Sequence, residues 1–206
     1  MWGLVESGSI TKLINNPKGL VVGDIRYSRK IFELWSKSEL EAKGIYEVEF
    51  NNSNRKDDRW YINTNQSFAF AGGKITASYG TATAKAHADT LWTSQDKTDG
   101  LIPDGKDVGD VKVEELKTVL IRNVKAQAAQ ILQDTDWYIV RKADAGTAVP
   151  SAITTHRAAV RTKAAEMETA ITNASDTPAL ETLHTYTEQE DKSVTRPLGE
   201  LPRLES

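Results

Sequence analysis

The sequence predicts an α+β protein whose two structural habits are kept apart along the chain. A small β-rich amino-terminal domain is expected over residues 1–92, a linker over 93–112, and a helical carboxyl-terminal module with an extended tail over 113–206. Three observations carry this reading. Residues 45–50 alternate apolar and polar side chains, which is the period of a half-buried strand. Gly72 and Gly73 divide an aromatic-rich run into two arms of a hairpin. Beyond residue 112, two long segments space their apolar residues by threes and fours, the period of an amphipathic helix.

Taken in order, 2–6 and 10–14 are short apolar-rich runs separated by Ser7, Gly8 and Ser9, a small-residue turn that joins them as a hairpin. Pro17 and Gly19 then break the pattern. Ser36 and Glu39 have capping-box spacing and Gly44 can take a left-handed stop, so one short helix is predicted over 37–43. In the strand that follows, Tyr46, Val48 and Phe50 share one face and Glu47 and Glu49 point to water. A polar loop covers 51–58. The hairpin at 66–79 turns on Gly72 and Gly73, which reach positive φ without a Cβ penalty. That turn sets Phe70 opposite Ile75, Phe68 opposite Ala77 and Gln66 opposite Tyr79, with the aromatic face expected to pack on the short helix. The Ala- and Thr-rich stretch 81–91 is ambiguous, because Ala84, Ala88 and Leu91 also fit helical spacing. Turn residues without periodicity fill 93–110 and mark the expected boundary between modules.

In the second half, Val113, Leu116, Leu120, Val124, Ala128 and Ile131 form one apolar stripe. Pro150 opens a second helix with Ile153, Val160, Ala164, Met167 and Ile171 as its stripe. Two matching stripes satisfy an antiparallel pair within one chain or helices contributed by several chains, so a homo-oligomer stays open. A short third helix is expected over 178–183, capped by Asp176 and anchored by Leu180 and Leu183. The two prolines and the glycine of 196–202 suit an extended tail that docks on a neighbour or stays mobile.

Composition narrows the function classes. With 206 residues, ~70% of the unfolded surface can be buried on folding, and a 39% hydrophobic, 27% charged composition is globular rather than disordered. The net charge of -3, with both signs interspersed, offers no field for nucleic acid and no polybasic membrane patch. Zero cysteines exclude disulfides, thiolate metal sites and cysteine nucleophiles. No apolar run is long enough to span a bilayer, and the first residues lack the basic region and apolar core of a signal peptide. The chain is expected to be made and kept in the cytoplasm unless it leaves inside a larger particle.

Candidate sites are sparse. Asp104, Asp107 and Asp110 lie among glycines, but steps of three without a closing bidentate Glu do not make an EF-hand, and a solvated linker is the better reading. His87, His156 and His184 have no metal-binding spacing, no glycine-rich turn delivers a phosphate to a helix, and no serine sits in a nucleophile elbow. No catalytic residue, cofactor or metal is therefore assigned. The segment 134–141 stands out instead. It reads structurally as a helix-to-helix corner with Trp137 as a plug and Arg141 or Arg157 pairing a nearby aspartate. Functionally, the same residues are the types that dominate interface energies. Trp60, Tyr61 and Trp92, if exposed, would be stacking platforms for a carbohydrate.

The pattern Thr135, Asp136, Trp137, Tyr138, Val140, Arg141, then 146–150, Arg157 and Arg161, resembles the carboxyl-terminal module of tail-fibre assembly and tail-associated proteins of tailed bacteriophages. Leu180, Leu183 and the Arg196, Pro197, Leu198 ending continue the resemblance. Trp35, Ser36, Glu39, Leu40, Gly44 and Ile45, with the later hairpin, are similar to a helix-to-strand unit of phage tail proteins. The resemblance implies a non-enzymatic virion protein of the tail fibre or baseplate that binds other tail proteins. A fibre-assembly chaperone and a receptor- or carbohydrate-binding tail protein are the alternatives. Partner contact is expected at Trp137, Tyr138, Arg141, Arg157, Arg196, Pro197 and Leu198.

Overall fold

The computed structural model describes residues 1–204, which divide into two units, Met1–Thr83 and the chain from Ala84 onward. Both strands and helices are present and segregated as an α+β protein. The division falls before the expected linker rather than within it.

The first unit is built on a five-stranded sheet. Its members are β1 (Trp2–Glu6), β2 (Ser9–Ile14), β5 (Ile45–Asn51), β7 (Ser67–Ala71) and β8 (Lys74–Ser78), in the order β2-β1-β5-β8-β7. A hairpin of β3 (Leu20–Val22) and β4 (Ile25–Tyr27), the helices α1 (Ile31–Leu34) and α2 (Lys37–Glu41), and β6 (Tyr61–Ile62) complete the unit. The turn between β1 and β2 uses left-handed Ser7 and Gly8 at φ 52° and 79°, the pair a two-residue hairpin loop requires. All pairings in the sheet are antiparallel except the central one, where β5 and β8 run parallel.

Each face of this sheet carries its own core. Leu4, Ile14, Leu20, Ile31, Leu40 and Ile45 form one cluster, with Trp2, Tyr27, Phe32 and Trp35 packed against it. Val48, Ile75 and Ala77 form the other, with Val5, Ile10, Tyr46, Phe68 and Phe70. Neighbours such as Leu4 and Val5, or Ile45 and Tyr46, fall in different clusters because successive side chains leave a strand on opposite faces. A bulge keeps β2 in step. Leu4 faces Lys12 while Val5 faces Ile10, so the extra residue Thr11 sends Ile10 and Ile14 to different clusters despite their even spacing.

The predicted details mostly hold at this level, and the departures have local causes. Ser36 and Glu39 form the capping box, with Ser36 N–H donating to Glu39 Oε2 at 2.7 Å, and Gly44 is left-handed at φ 73°. Phe70 faces Ile75 and Phe68 faces Ala77. These aromatics do not pack on the helix, however, because Leu40 of α2 lies in the cluster on the other face. Phe50 is 51% exposed, since it follows the last buried residue of its strand, Val48. The helix α1 is a second short helix where one was expected; it has no side-chain cap to announce it.

In the second unit the expected linker is folded. After β9 (Thr83–Ala84), the strand β10 (Thr90–Leu91) pairs antiparallel with β11 (Val111–Val113), and α3 (Ser94–Thr98) lies between them. Thr93 and Asp96 form a capping box at the start of α3, and Lys112 Nζ closes the loop onto Asp96 Oδ1 at 2.6 Å. That three-sided hold keeps the Asp96 carboxyl down at about 2, first through Lys112 and then through the Thr93 hydroxyl and amide. The helical spacing in 81–91 is not realised, because Asp89 is used elsewhere. Its carboxylate accepts from Glu115 N–H at 2.8 Å and Thr118 Oγ1 at 2.7 Å, capping the next helix from a distance.

That helix is α4 (Leu116–Gln133), which buries Leu120, Val124 and Ala128 against α6 (Ser151–Asn173) with its Ile153, Val160, Ala164, Met167 and Ile171. Lys117 Nζ reaches Thr172 O at 2.8 Å at one end and Arg157 Nη1 reaches Leu132 O at 2.7 Å at the other, so the two run antiparallel within one chain. Pro150 sits at the amino-terminal cap of α6. Between them lies α5 (Asp136–Ala145), ended by left-handed Gly146 at φ 67°. Helix α7 (Thr177–His184) is capped by Asp176 Oδ1, which accepts from Ala179 N–H at 2.8 Å. A hairpin of β12 (Thr187–Glu188) and β13 (Val194–Thr195) follows, and Leu198 is buried with its N–H donating to Leu183 O at 3.0 Å. The hairpin precedes the expected extended tail, and 196–202, without helix or strand, docks on its own unit through Leu198. Among the described residues no helix is long and apolar enough to cross a membrane.

Candidate functional site

The segment 134–141 separates into an inward half and an outward half. Asp134 ends α4 in helical geometry and Thr135 (φ -114°, ψ 3°) makes a one-residue break before α5. Thr135 is 3% exposed and donates its hydroxyl to Leu132 O at 2.9 Å. Arg157, reaching from α6, donates from Nη1 to Leu132 O at 2.7 Å and to Thr135 Oγ1 at 2.6 Å, and from Nη2 to Asp136 Oδ1 at 2.8 Å. The plug of this corner is therefore Thr135 with Arg157, and the arginine-aspartate pair expected here is Arg157 with Asp136.

Trp137 is not the plug. It is 52% exposed, because two helical steps from Thr135 rotate a side chain by about 200° and turn it from core to solvent. Its ring stacks on Tyr138 with centroids 3.8 Å apart and planes tilted by 32°. The Arg141 guanidinium lies 4.7 Å from the Trp137 centroid and 5.5 Å from that of Tyr138, a cation held over two π faces. Arg141 Nε is shut off from water and has no acceptor among the described residues. Ile139 and Val140 are 43% and 65% exposed, and no residue of α5 is buried.

The other expected contact residues are spent inside the chain. Arg157 is 7% exposed and fully engaged at Nη1 and Nη2, which withdraws it from a partner. Arg196 pairs with Glu200 at 2.7 Å, donates to Gly199 O and covers the Tyr186 ring at 5.1 Å. Leu198 is 3% exposed. Pro197 alone of that trio is exposed. The outward set that survives is Trp137, with Ile139 and Val140, which sequence reasoning passed over; Tyr138 and Arg141 are half-buried against the Trp137 ring.

The remaining candidates dissolve into ordinary structure. Trp60 and Tyr61 are 3% and 4% exposed, with Arg59 and Lys56 against their rings at 4.5 Å and 4.3 Å, so neither is a sugar platform. Trp92 is half-buried beneath Lys112 at 4.6 Å. Asp107 pairs with Lys97 at 3.0 Å and Asp110 accepts from Asp107 N–H at 2.9 Å, which is turn bonding. Among the described residues no three metal-binding side chains converge. A groove of ≈ 690 Å³ beside α4 is lined by Gln127, Gln130, Tyr186 and Glu200, and in it the Tyr186 hydroxyl donates to Glu200 Oε1 at 2.7 Å. No protein-family model, curated protein or solved structure matches the chain.

Proposed function

We propose that this chain is a non-enzymatic structural protein of a bacteriophage tail, associated with the fibre or baseplate, which binds other tail proteins. The observation that carries the reading is the exposure of Trp137, with half-buried Tyr138 and Arg141 packed against its ring, within the motif that resembles tail modules. A self-sufficient domain buries a tryptophan or leaves it isolated. Here it lies beside exposed Ile139 and Val140, under an arginine that has no ion pair among the described residues, and Trp and Arg are among the residues that supply most of the energy of protein interfaces. Two separate units in one chain suit a connector, which needs one surface for each neighbour.

Quantitative proteomics of purified particles tests the proposal. The expected result is the chain in mature virions at a fixed copy number relative to the other tail proteins. Its absence from mature particles, together with loss of soluble fibre when it is omitted from co-expression, would make it an assembly chaperone instead.

A further inference from the structure

We infer that Asp104–Gly105 is a site of spontaneous isoaspartate formation, and that the fold spares the same dipeptide at Asp99–Gly100. The inference is independent of the tail reading.

Asp followed by Gly occurs twice in the chain, both times in the lobe between β10 and β11. The reaction needs the glycine amide nitrogen to reach the aspartate Cγ, and glycine favours it because no Cβ restricts the approach. A nitrogen–Cγ bond forms, the amide proton and the carboxyl hydroxyl leave together as water, and a five-membered succinimide results. Water then adds back at either ring carbonyl. Opening at Cγ restores aspartate. Opening at the α carbonyl leaves isoaspartate, with the main chain running through Cβ and Cγ and the α-carboxylate set free. Water is lost and regained, and no other reactant enters.

At the first pair both groups are occupied. Asp99 ends α3 in helical geometry (φ -80°, ψ -1°), and its Oδ1 accepts from Gln95 Nε2 at 2.8 Å. Gly100 N–H donates to Lys97 O at 3.2 Å. Ring closure there must break both bonds and open the helix end.

At the second pair both groups are free. Asp104 and Gly105 are the middle residues of a turn closed by Lys106 N–H on Pro103 O at 3.1 Å, with Gly105 at the positive φ of 81° that a type II turn requires. The peptide between them takes no part in the turn's own bond. Among the described residues, Gly105 N–H has no acceptor, and the Asp104 carboxyl has neither a hydrogen bond nor an ion pair. Both residues are exposed, and beyond the adjoining residues no atom lies within 4 Å of where a Gly105 Cβ would stand. Gly100 is equally open, so space does not separate the two pairs; the hydrogen bonds do.

Ageing the purified full chain at neutral pH and physiological temperature tests this. Cleavage after Lys97 and Lys106 releases both pairs on one peptide, 98–106, in which electron-transfer fragmentation tells isoaspartate from aspartate at each position. The native chain should accumulate isoaspartate at 104, with 99 slower by about tenfold or more, since each bond to be opened lowers the reactive population. Unfolded in guanidinium chloride, the two positions should react at similar rates. Gln95→Ala should speed the reaction at 99 and leave 104 unchanged. Asp104→Glu should remove the signal at 104, because its ring would need six members. Equal native rates at 99 and 104, or a native chain in which 104 stays unmodified, overturns the inference.

Discussion

Arg157 and Arg141 belong to the same recognisable stretch of sequence, yet the fold uses them in opposite ways. Arg157 is 7% exposed and binds a carbonyl, a hydroxyl and a carboxylate, joining the end of α4 and the start of α5 to α6. Arg141 sits over two aromatic rings on a helix with no fully buried residue and meets no anion among the described residues. The difference teaches that a motif rich in Trp, Tyr and Arg can contain both a structural knot and a leftover surface. Position relative to the helix break, rather than residue type, decides which is which.

The comparison breaks most easily at the inward half. Arg157→Ala should cost about 3 kcal/mol in urea unfolding, because it removes two charged hydrogen bonds, to the Leu132 carbonyl and the Thr135 hydroxyl, and leaves those groups with the bond between them; little of that comes from the half-exposed Asp136. A loss below about 0.5 kcal/mol would mean that the knot holds nothing.

A second inward pair sharpens the contrast through pH. The Asp96 carboxyl is lowered from 3.8 to about 2 in the folded chain, so the ionised form favours folding. That contribution is complete above the unfolded value of 3.8 and disappears as the pH falls to about 2. Asp96→Asn should therefore melt lower than the parent at neutral pH, and the two melting curves should converge near pH 2. The gap should be smaller than that of Arg157→Ala, as Lys112 remains partly in water.

The smallest effect belongs to the outward half. Trp137→Ala should change monomer stability by no more than about 0.5 kcal/mol, despite removing the largest side-chain type, since solvent already reaches half of it. A cost of several kcal/mol in chemical unfolding at low concentration would place Trp137 in the core after all.

Much of the fold was legible because its signals are local. The Ser36–Glu39 box, the Gly72–Gly73 turn with its Phe70–Ile75 register, and the Asp176 cap each lie within a few residues of what they control. What stayed hidden acts over distance or against type. Asp89 caps α4 from 26 residues away, and the parallel pairing of β5 with β8 has no sequence period of its own. The lobe at 93–112 reads as a linker in sequence because its capping box closes with Asp96 in place of the usual Glu or Gln. Helix α5 escaped notice because it has no apolar stripe facing a core. The site was half legible for the same reason: its residue types were visible, while the one-residue break at Thr135, which sorts inward from outward, was not.

The parallel pair at the centre of the first unit also bears on the order of events in folding. The strands β1 with β2, and β7 with β8, are hairpins of adjacent segments and can zip on a microsecond scale. Joining β5 to β8 side by side must wait for the chain between Asn51 and Ser67 to loop back, and parallel strands cannot be linked by a tight turn. The sheet should therefore close through two long-range joins after its hairpins, β1 to β5 and β5 to β8, with Ile75 as the residue whose burial reports the second.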